Sequence, residues 1–429
     1  MRIDYGENGL DLSLNPQWNV TVLRPKEQKG LVDPIEKIRE AIKNPLKCKP
    51  LYKIIKSKKV LNRICIVVSD STRPVPSPII LEALIKELNE YGIQDNQISI
   101  LIATGLHRPS RKDELVRIVG NNLKNRLNII NHIATDKNSI KYLGETQDKI
   151  PIYMNKHYCE SDLKIITGYV EPHFFFGFSG GMKAIVPGIA GIETIKANHS
   201  AKNIASPYSR FGIYKNNLLH RNAIEISRVV GADFIINVCI NENHEIVKVA
   251  AGNIEEVHKV LVDYQLKHIF EEIKEPYDIV VCGNGGYPLD LNLYQAVKSM
   301  AIGELAVKKD GTIISVNECV EGVGKGQENF RELIFSGFEP EKLYDKILNG
   351  EIVTPDQWEI QILCRVLMKA DVILVSNLNE NEIGNIGLKY AKTVEEGIEM
   401  ELEKTSLDAK ILILPHGPQI LPYIKGSRH

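Results

Sequence analysis

Four stretches of this 429-residue chain carry side chains that can move protons, hold anions or attack an electrophile. The first is Ser69-Asp70-Ser71-Thr72-Arg73-Pro74. It reads either as turn and helix-cap chemistry or as an anion cradle, with hydroxyls and backbone N–H groups donating and Arg73 binding bidentately. The second is Ala103-Thr104-Gly105-Leu106-His107-Arg108-Pro109, with His107 at its tip and Thr104 and Arg108 as further phosphate partners. The third runs from Tyr169 to Lys183 and sets His173 and Lys183 among Phe174, Phe175, Phe176 and Phe178. So many aromatic rings would be costly to expose, so the loop is expected to fold inward, where desolvation favours the uncharged, nucleophilic amine of a lysine. Lys183 is then either a covalent or directly catalytic amine or a counter-ion to a phosphate, and Gly180-Gly181 is read as letting backbone approach a bulky ligand. The fourth is His199, at the end of a helix expected from Ile192: a helix-end histidine or a metal ligand. A metal held by one protein histidine must take its other ligands from elsewhere, because the chain has no H-E-x-x-H and no Cys/His cluster.

These residues need a scaffold, and the pattern around them supplies one. Short apolar runs at Ile64–Val68, Ile98–Ile102, Leu127–Ile130, Leu163–Ile166 and Phe234–Cys239 alternate with helical spacing, as at Leu81, Leu84, Ile85 and Leu88 and in a polar helix over 112–119. Residues 255–273 read as one amphipathic helix, after which a second series begins at Asp278–Cys282 and continues at 312–316, 372–375 and 410–414. Such alternation predicts an α/β protein of two Rossmann-like domains with mostly parallel sheets. The expected division is 1–272, carrying the loops above; 273–410, a second α/β domain; and 411–425, a tail returning to the first. Residues 426–429 are read as an expression scar and set aside. In such sheets ligands bind beyond the C-terminal ends of the strands, which is where the first three stretches lie. In the second series Gly283-Asn284-Gly285-Gly286 is not a dinucleotide fingerprint. A helix over Asn292–Lys298 would place Gln295 and Lys298 one turn apart, an amide beside an ammonium, as a carboxylate requires or as any solvated face allows.

Bulk composition narrows the function. Lys plus Arg total 53 and Asp plus Glu 54, a net charge of −1 that gives no general attraction to nucleic acid or anionic membrane. The basic group Lys53, Lys56, Lys58 and Lys59 reads as a solvated helix face. Seven cysteines, an odd number without C-x-x-C, fit a reducing cytoplasm. The first residues hold no apolar signal core, and no stretch reaches the roughly 18 apolar residues of a membrane span.

In order and spacing, these stretches together with Ala197-Asn198-His199, Tyr294-Gln295-Ala296-Val297-Lys298 and Pro355-Asp356-Gln357-Trp358 resemble the nickel-dependent lactate racemase and 2-hydroxyacid racemase family. The resemblance runs along nearly the whole chain. It implies nickel held in a pyridinium-3,5-bisthiocarboxylic acid mononucleotide, covalently attached at Lys183 and made by separate cofactor-synthesis proteins. His199 would be the protein's ligand to nickel, and Asp70, Ser71, Thr72 and Arg73 would hold the nucleotide. His107 and His173 would be the two acid–base residues, one for each enantiomer. Gln295 and Lys298, with Arg73, would hold the substrate carboxylate, and the family arrangement puts the site in a cleft between the domains. Lactate's α-hydrogen is a poor acid, so hydride transfer through pyruvate avoids a carbanion, with imidazole taking the hydroxyl proton. Two other readings compete: the same chemistry on malate, a longer aliphatic acid or a sugar acid, and a non-enzymatic binder of a phosphorylated ligand. A nicotinamide dehydrogenase is disfavoured by the missing fingerprint.

Overall fold

A computed structural model describes residues 1–425, so the scar assigned to 426–429 lies outside the described residues. The described residues form two compact units, 28–203 with 208–266, and 1–27 with 204–207 and the residues from 267 on.

The first unit is built on a six-stranded sheet of β1 (Ile64–Ser69), β2 (Ile98–Ala103), β3 (Asn128–Asn131), β4 (Leu163–Tyr169), β5 (Phe234–Ile240) and β6 (Ile246–Gly252). Its spatial order is β3-β2-β1-β4-β5-β6, the Rossmann order. All neighbours are parallel except β5 and β6. The apolar runs form central strands because both faces are covered: Ile64 to Val68 and Ile100 to Ile102 are buried. Helix α1 (Ser77–Glu90), entered through a proline in its first turn, buries Leu81, Leu84, Ile85 and Leu88 against a core that includes Ile66, Val68, Ile100, Ile102, Ile165 and Ile236. Each such residue contributes roughly 1.5–3 kcal/mol when fully buried, so the strand ends that carry the loops are firmly held. The unit also holds α2 (Ile192–Asn198), α3 (Leu218–Val230) and α4 (Ile254–His268).

The second unit carries an all-parallel sheet of β7 (Tyr277–Gly283), β8 (Val307–Val316), β9 (Asp371–Val375), β10 (Lys389–Ala391) and β11 (Lys410–Leu414). Its order is β10-β9-β8-β7-β11, closed at the edge by the N-terminal strand Asn19–Val22. Among its helices are α5 (Leu293–Gly303) and α6 (Gln357–Leu367). Both units are thus α/β with mostly parallel sheets, as the alternation predicts.

The domain boundaries differ from expectation in two ways. The first 27 residues belong to the second unit, because Asn19–Val22 pairs with Lys410–Ile413. The tail does not return to the first unit either: Ile411–Leu414 pairs with β7, and Leu421–Ile424 with Phe270–Ile273. Those pairings also shorten the helix expected over 255–273, which ends at His268 and gives way to the strand Phe270–Ile273. The polar helix of 112–119 is confined to Leu115–Val119. Where strands pair, the deciding partner is remote in sequence, which local periodicity cannot register.

Candidate active site

β2, β1 and β4 lie side by side, with Ser69 opposite Ala103 and Val67 opposite Ile166. The chain leaves β1 and β4 at the topological switch of the sheet, where this fold binds its ligands. Asp70 to Arg73 follow β1, His107 follows β2, and His173 and Lys183 follow β4, so the structure sets these candidates on three adjacent strand ends.

The β1 and β2 loops meet directly. His107 Nδ1 is 2.6 Å from Asp70 Oδ2, while Asp70 Oδ1 accepts from Thr72 N at 3.2 Å and Thr72 Oγ1 at 2.7 Å. Arg73 donates to the Thr72 carbonyl at 3.1 Å and hydroxyl at 3.0 Å. Burial pushes the Asp70 carboxyl up, but His107, Arg73 and Thr72 outweigh it and hold the group at about 2. Ser71 is buried beside it. The tip geometry needs glycine at 105, where φ is +56°. Two further phosphate partners expected here are already engaged. Thr104 Oγ1 donates to the His132 carbonyl at 2.5 Å, and Arg108 forms a two-pronged pair with Glu114 at 2.7 and 2.9 Å. Both shape the His107 loop.

The loop after β4 folds inward as its phenylalanines require. His173 pairs with Gly177 in a small hairpin, and Phe174, Phe175, Phe176 and Phe178 are buried. His173 packs on the rings of Phe174 and Phe175 at 4.8 and 4.6 Å, and its Nδ1 accepts from Phe176 N at 3.2 Å. Lys183 lies in a short 3-10 turn, Gly181–Ala184, with its ammonium over Phe176 at 5.0 Å and Phe175 at 5.8 Å. The fold itself requires glycine at 180 and 181: both have positive φ, and a Cβ on Gly181 would sit 2.6 Å from the His258 ring.

His199 caps α2, its N–H reaching the Ile195 carbonyl at 2.8 Å. Its ring stands edge-on to Phe175 at 5.3 Å. Burial first, then the positive charge of Lys183, lower its pKa to about 3, so the ring is neutral, the state in which imidazole binds metal. Among the described residues no group of three or more His, Cys, Asp or Glu side chains could hold a metal ion. A metal at His199 would therefore take other ligands from outside such a cluster.

Some residues around these loops carry no sequence signal. Tyr169, buried at the end of β4, is pushed well up by burial, then by Glu171, with Asp70 and Arg73 also within electrostatic reach. Behind the aromatic loop, His258 Nε2 donates to the Ser179 carbonyl at 3.0 Å, and His220 stacks on His258 at 5.2 Å. Asn237 accepts from Gly181 N at 2.8 Å. These residues sit on a strand and on amphipathic helices, where one more polar residue looks ordinary.

In the second unit the expected pair is present. Gln295 and Lys298 lie one turn apart on α5, the Lys298 ammonium donating to the Gln295 amide oxygen. Asn292 caps that helix through Gln295 N at 3.0 Å. Trp358 Nε1 donates to Tyr294 OH, which donates to Asp356 Oδ1, each at 3.2 Å.

A Rossmann-type unit that gathers a carboxylate-backed histidine, a second histidine and a lysine at adjacent strand ends has the form of an acid–base enzyme. Comparison with known proteins gives the family. Residues 5–212 match the family model of the lactate racemase N-terminal domain and residues 273–421 that of the lactate racemase C-terminal domain. The chain is 35% identical over 426 residues to lactate racemase of Thermoanaerobacterium thermosaccharolyticum, covering 98% of both chains. It is 38% identical over 385 residues to that of Lactiplantibacillus plantarum, covering 89% of both. The solved lactate racemase apoprotein from T. thermosaccharolyticum superimposes with a TM-score of 0.89 at 34% identity, over 98% of this chain and 99% of that one. The chain belongs to the lactate racemase family, a family of isomerases, as its motifs indicate.

Proposed function

We propose that this chain interconverts D- and L-lactate, using as its acid and base two histidines on the loops after β2 and β4. The observation that carries this reading is the placement of His107, backed by Asp70 at 2.6 Å, and His173, packed in an aromatic hairpin, after the two strands that flank β1 in one sheet. Family membership supplies the substrate.

The residues present fit a nickel-bearing pyridinium mononucleotide joined at Lys183. Ser71, Thr72 and Arg73 supply hydroxyls and a guanidinium, and His199 is a buried neutral imidazole near Lys183. When bound, that group supplies a reversible hydride acceptor. The chain does the rest. Lys298 and Gln295 hold the substrate carboxylate, with Arg73 as a further cation. As the C2 hydrogen leaves with its electron pair, one imidazole takes the hydroxyl proton and pyruvate forms. For the other enantiomer to form, the second imidazole would give a proton to the same oxygen, so the chain's own part is one proton taken and one given. The buried phenylalanines keep water from the intermediate.

The test uses holoenzyme matured with the cofactor-synthesis proteins and a panel of single enantiomers read by chiral chromatography. His107→Ala and His173→Ala should each abolish lactate racemisation while intact mass shows the adduct retained; Lys183→Ala should carry none, and His199→Ala should hold less nickel. Near-normal activity in either histidine variant would overturn the two-base reading. Turnover of another 2-hydroxyacid but not lactate would move the assignment to that substrate.

A further inference from the structure

We propose that the two site histidines are held in opposite tautomers, with Asp70 as the positioning residue that leaves His107 a bare Nε2, while the Phe175–Phe176 turn leaves His173 an Nε2–H. The catalytic consequence rests on the two-histidine reading above; the tautomers themselves do not.

The argument begins with what each partner can do. An ionised carboxylate only accepts, and Asp70 is buried with both oxygens engaged: Oδ2 by His107, Oδ1 by Thr72 N and Oγ1. The short contact at His107 therefore requires the proton on Nδ1, and the neutral ring is left with its lone pair on Nε2. This is how a buried aspartate orients the histidine of a hydrolase triad. At His173 the logic is reversed. The Nδ1 partner is the backbone N–H of Phe176 at 3.2 Å, with that of Phe175 at 3.5 Å. A backbone N–H only donates, so Nδ1 is bare and the proton of the neutral ring sits on Nε2.

Protonation then affects the two rings differently. A proton added to His107 goes to Nε2, breaks nothing and gains the attraction of Asp70. To take a hydroxyl proton at Nε2, neutral His173 must first carry its own proton on Nδ1, where it faces backbone N–H groups and loses their hydrogen bonds. His107 therefore acts as base without losing a hydrogen bond and His173 only by losing those of the turn, although the two residues serve mirror-related substrates. Enantiomers are equal in free energy, so kcat/KM must be the same in both directions. The asymmetry is confined to kcat and KM taken separately. Asp70 thus acts on the base itself, a different role from the cofactor contact that the family resemblance implies for it.

The experiment reads ring nitrogens directly in 15N-labelled apoprotein by long-range 1H–15N correlation, with His107→Gln and His173→Gln assigning the signals. At neutral pH His107 should show a protonated Nδ1 and His173 a protonated Nε2. His132 and His258, whose Nε2 atoms face the carbonyls of Ala190 and Ser179, serve as internal Nε2–H references. In Asp70→Asn the amide can donate to Nδ1, so His107 should shift toward the Nε2–H form while His173 and both references stay unchanged. The same tautomer at both site histidines, or a His107 signal untouched by Asp70→Asn, would overturn the proposal. If that variant does not fold, the wild-type spectrum alone decides. A chain with opposite tautomers that racemises no 2-hydroxyacid would leave this inference standing and remove the functional one.

Discussion

His132 should make the first unit unfold more readily in mild acid, by an amount that can be worked out. It follows β3, and its N–H extends the ladder to the Ile102 carbonyl at 3.0 Å. Its Nε2 donates to the Ala190 carbonyl at 2.9 Å, and its Nδ1 accepts from the Asn155 amide at 3.2 Å. It thereby ties the loop beyond Lys183 to the loop bearing His107, whose Thr104 donates to the His132 carbonyl. Asn155 cannot simply turn its oxygen toward a protonated ring, because that oxygen caps a short helix through Tyr158 N at 3.1 Å. Burial, only partly offset by the Ala190 carbonyl, lowers the His132 pKa from 6.5 to about 4. The folded value is depressed, so the stabilising contribution is complete above about pH 6.5 and is lost as pH falls from there toward 4. Below the unfolded pKa each pH unit costs about 1.4 kcal/mol, so about 2 kcal/mol is lost between roughly pH 7.5 and pH 5. The assay is urea unfolding followed by far-UV circular dichroism at both pH values, for the wild type and His132→Gln. Taking the difference between the two pH values within each protein removes the fixed cost of the substitution. It also cancels the slopes from His199, His220 and His258, which are present in both chains. The variant's loss on acidification should be smaller by about 2 kcal/mol. Stabilities that fall in parallel would refute the reasoning.

Two further outcomes are expected. Phe176→Ala removes a fully buried ring that packs near His199 and His220 and under the Lys183 ammonium. It should cost about 3–5 kcal/mol and lower Tm by roughly 10 °C in a thermal melt of the apoprotein. In holoenzyme, Lys298→Met should raise KM for lactate by roughly 10- to 100-fold, as loss of a charge-assisted hydrogen bond worth about 1.5–3 kcal/mol requires. An unchanged KM would take Lys298 out of the carboxylate site.

What the residues disclosed, and what they hid, follows from the range of the forces involved. Each strand near the site was visible because a strand buried on both faces needs a continuous apolar run, as in Ile64–Val68. The inward fold of Phe174–Phe178 was visible because exposing those rings is too costly. The partners of Thr104, Arg108 and Gly181 were not visible. They are His132, Glu114 and His258, and for the first and last the contact spans tens of residues and depends on the completed sheet. The chain order likewise hid that Asn19–Val22 closes the second sheet, since a four-residue strand with ordinary alternation names no partner.

The sheet order explains why a site can be spread along the chain and still be sharp. In the order β3-β2-β1-β4-β5-β6, β1 and β4 are neighbours although about a hundred residues separate them. The loops proposed to carry Asp70, His107 and His173 leave from β1, β2 and β4, so the backbone ladder fixes their spacing before any side chain chooses a partner. The side chains then need only local decisions. Asp70 reaches one strand across to His107, and Tyr169 at the end of β4 lies within electrostatic reach of Asp70 and Arg73. A proton-transfer site must hold donor and acceptor to within a few tenths of an ångström. Loops anchored on three adjacent central strands can do this. The same loops on edge strands, such as Asn128–Asn131, where no side chain is buried, would fray with the edge.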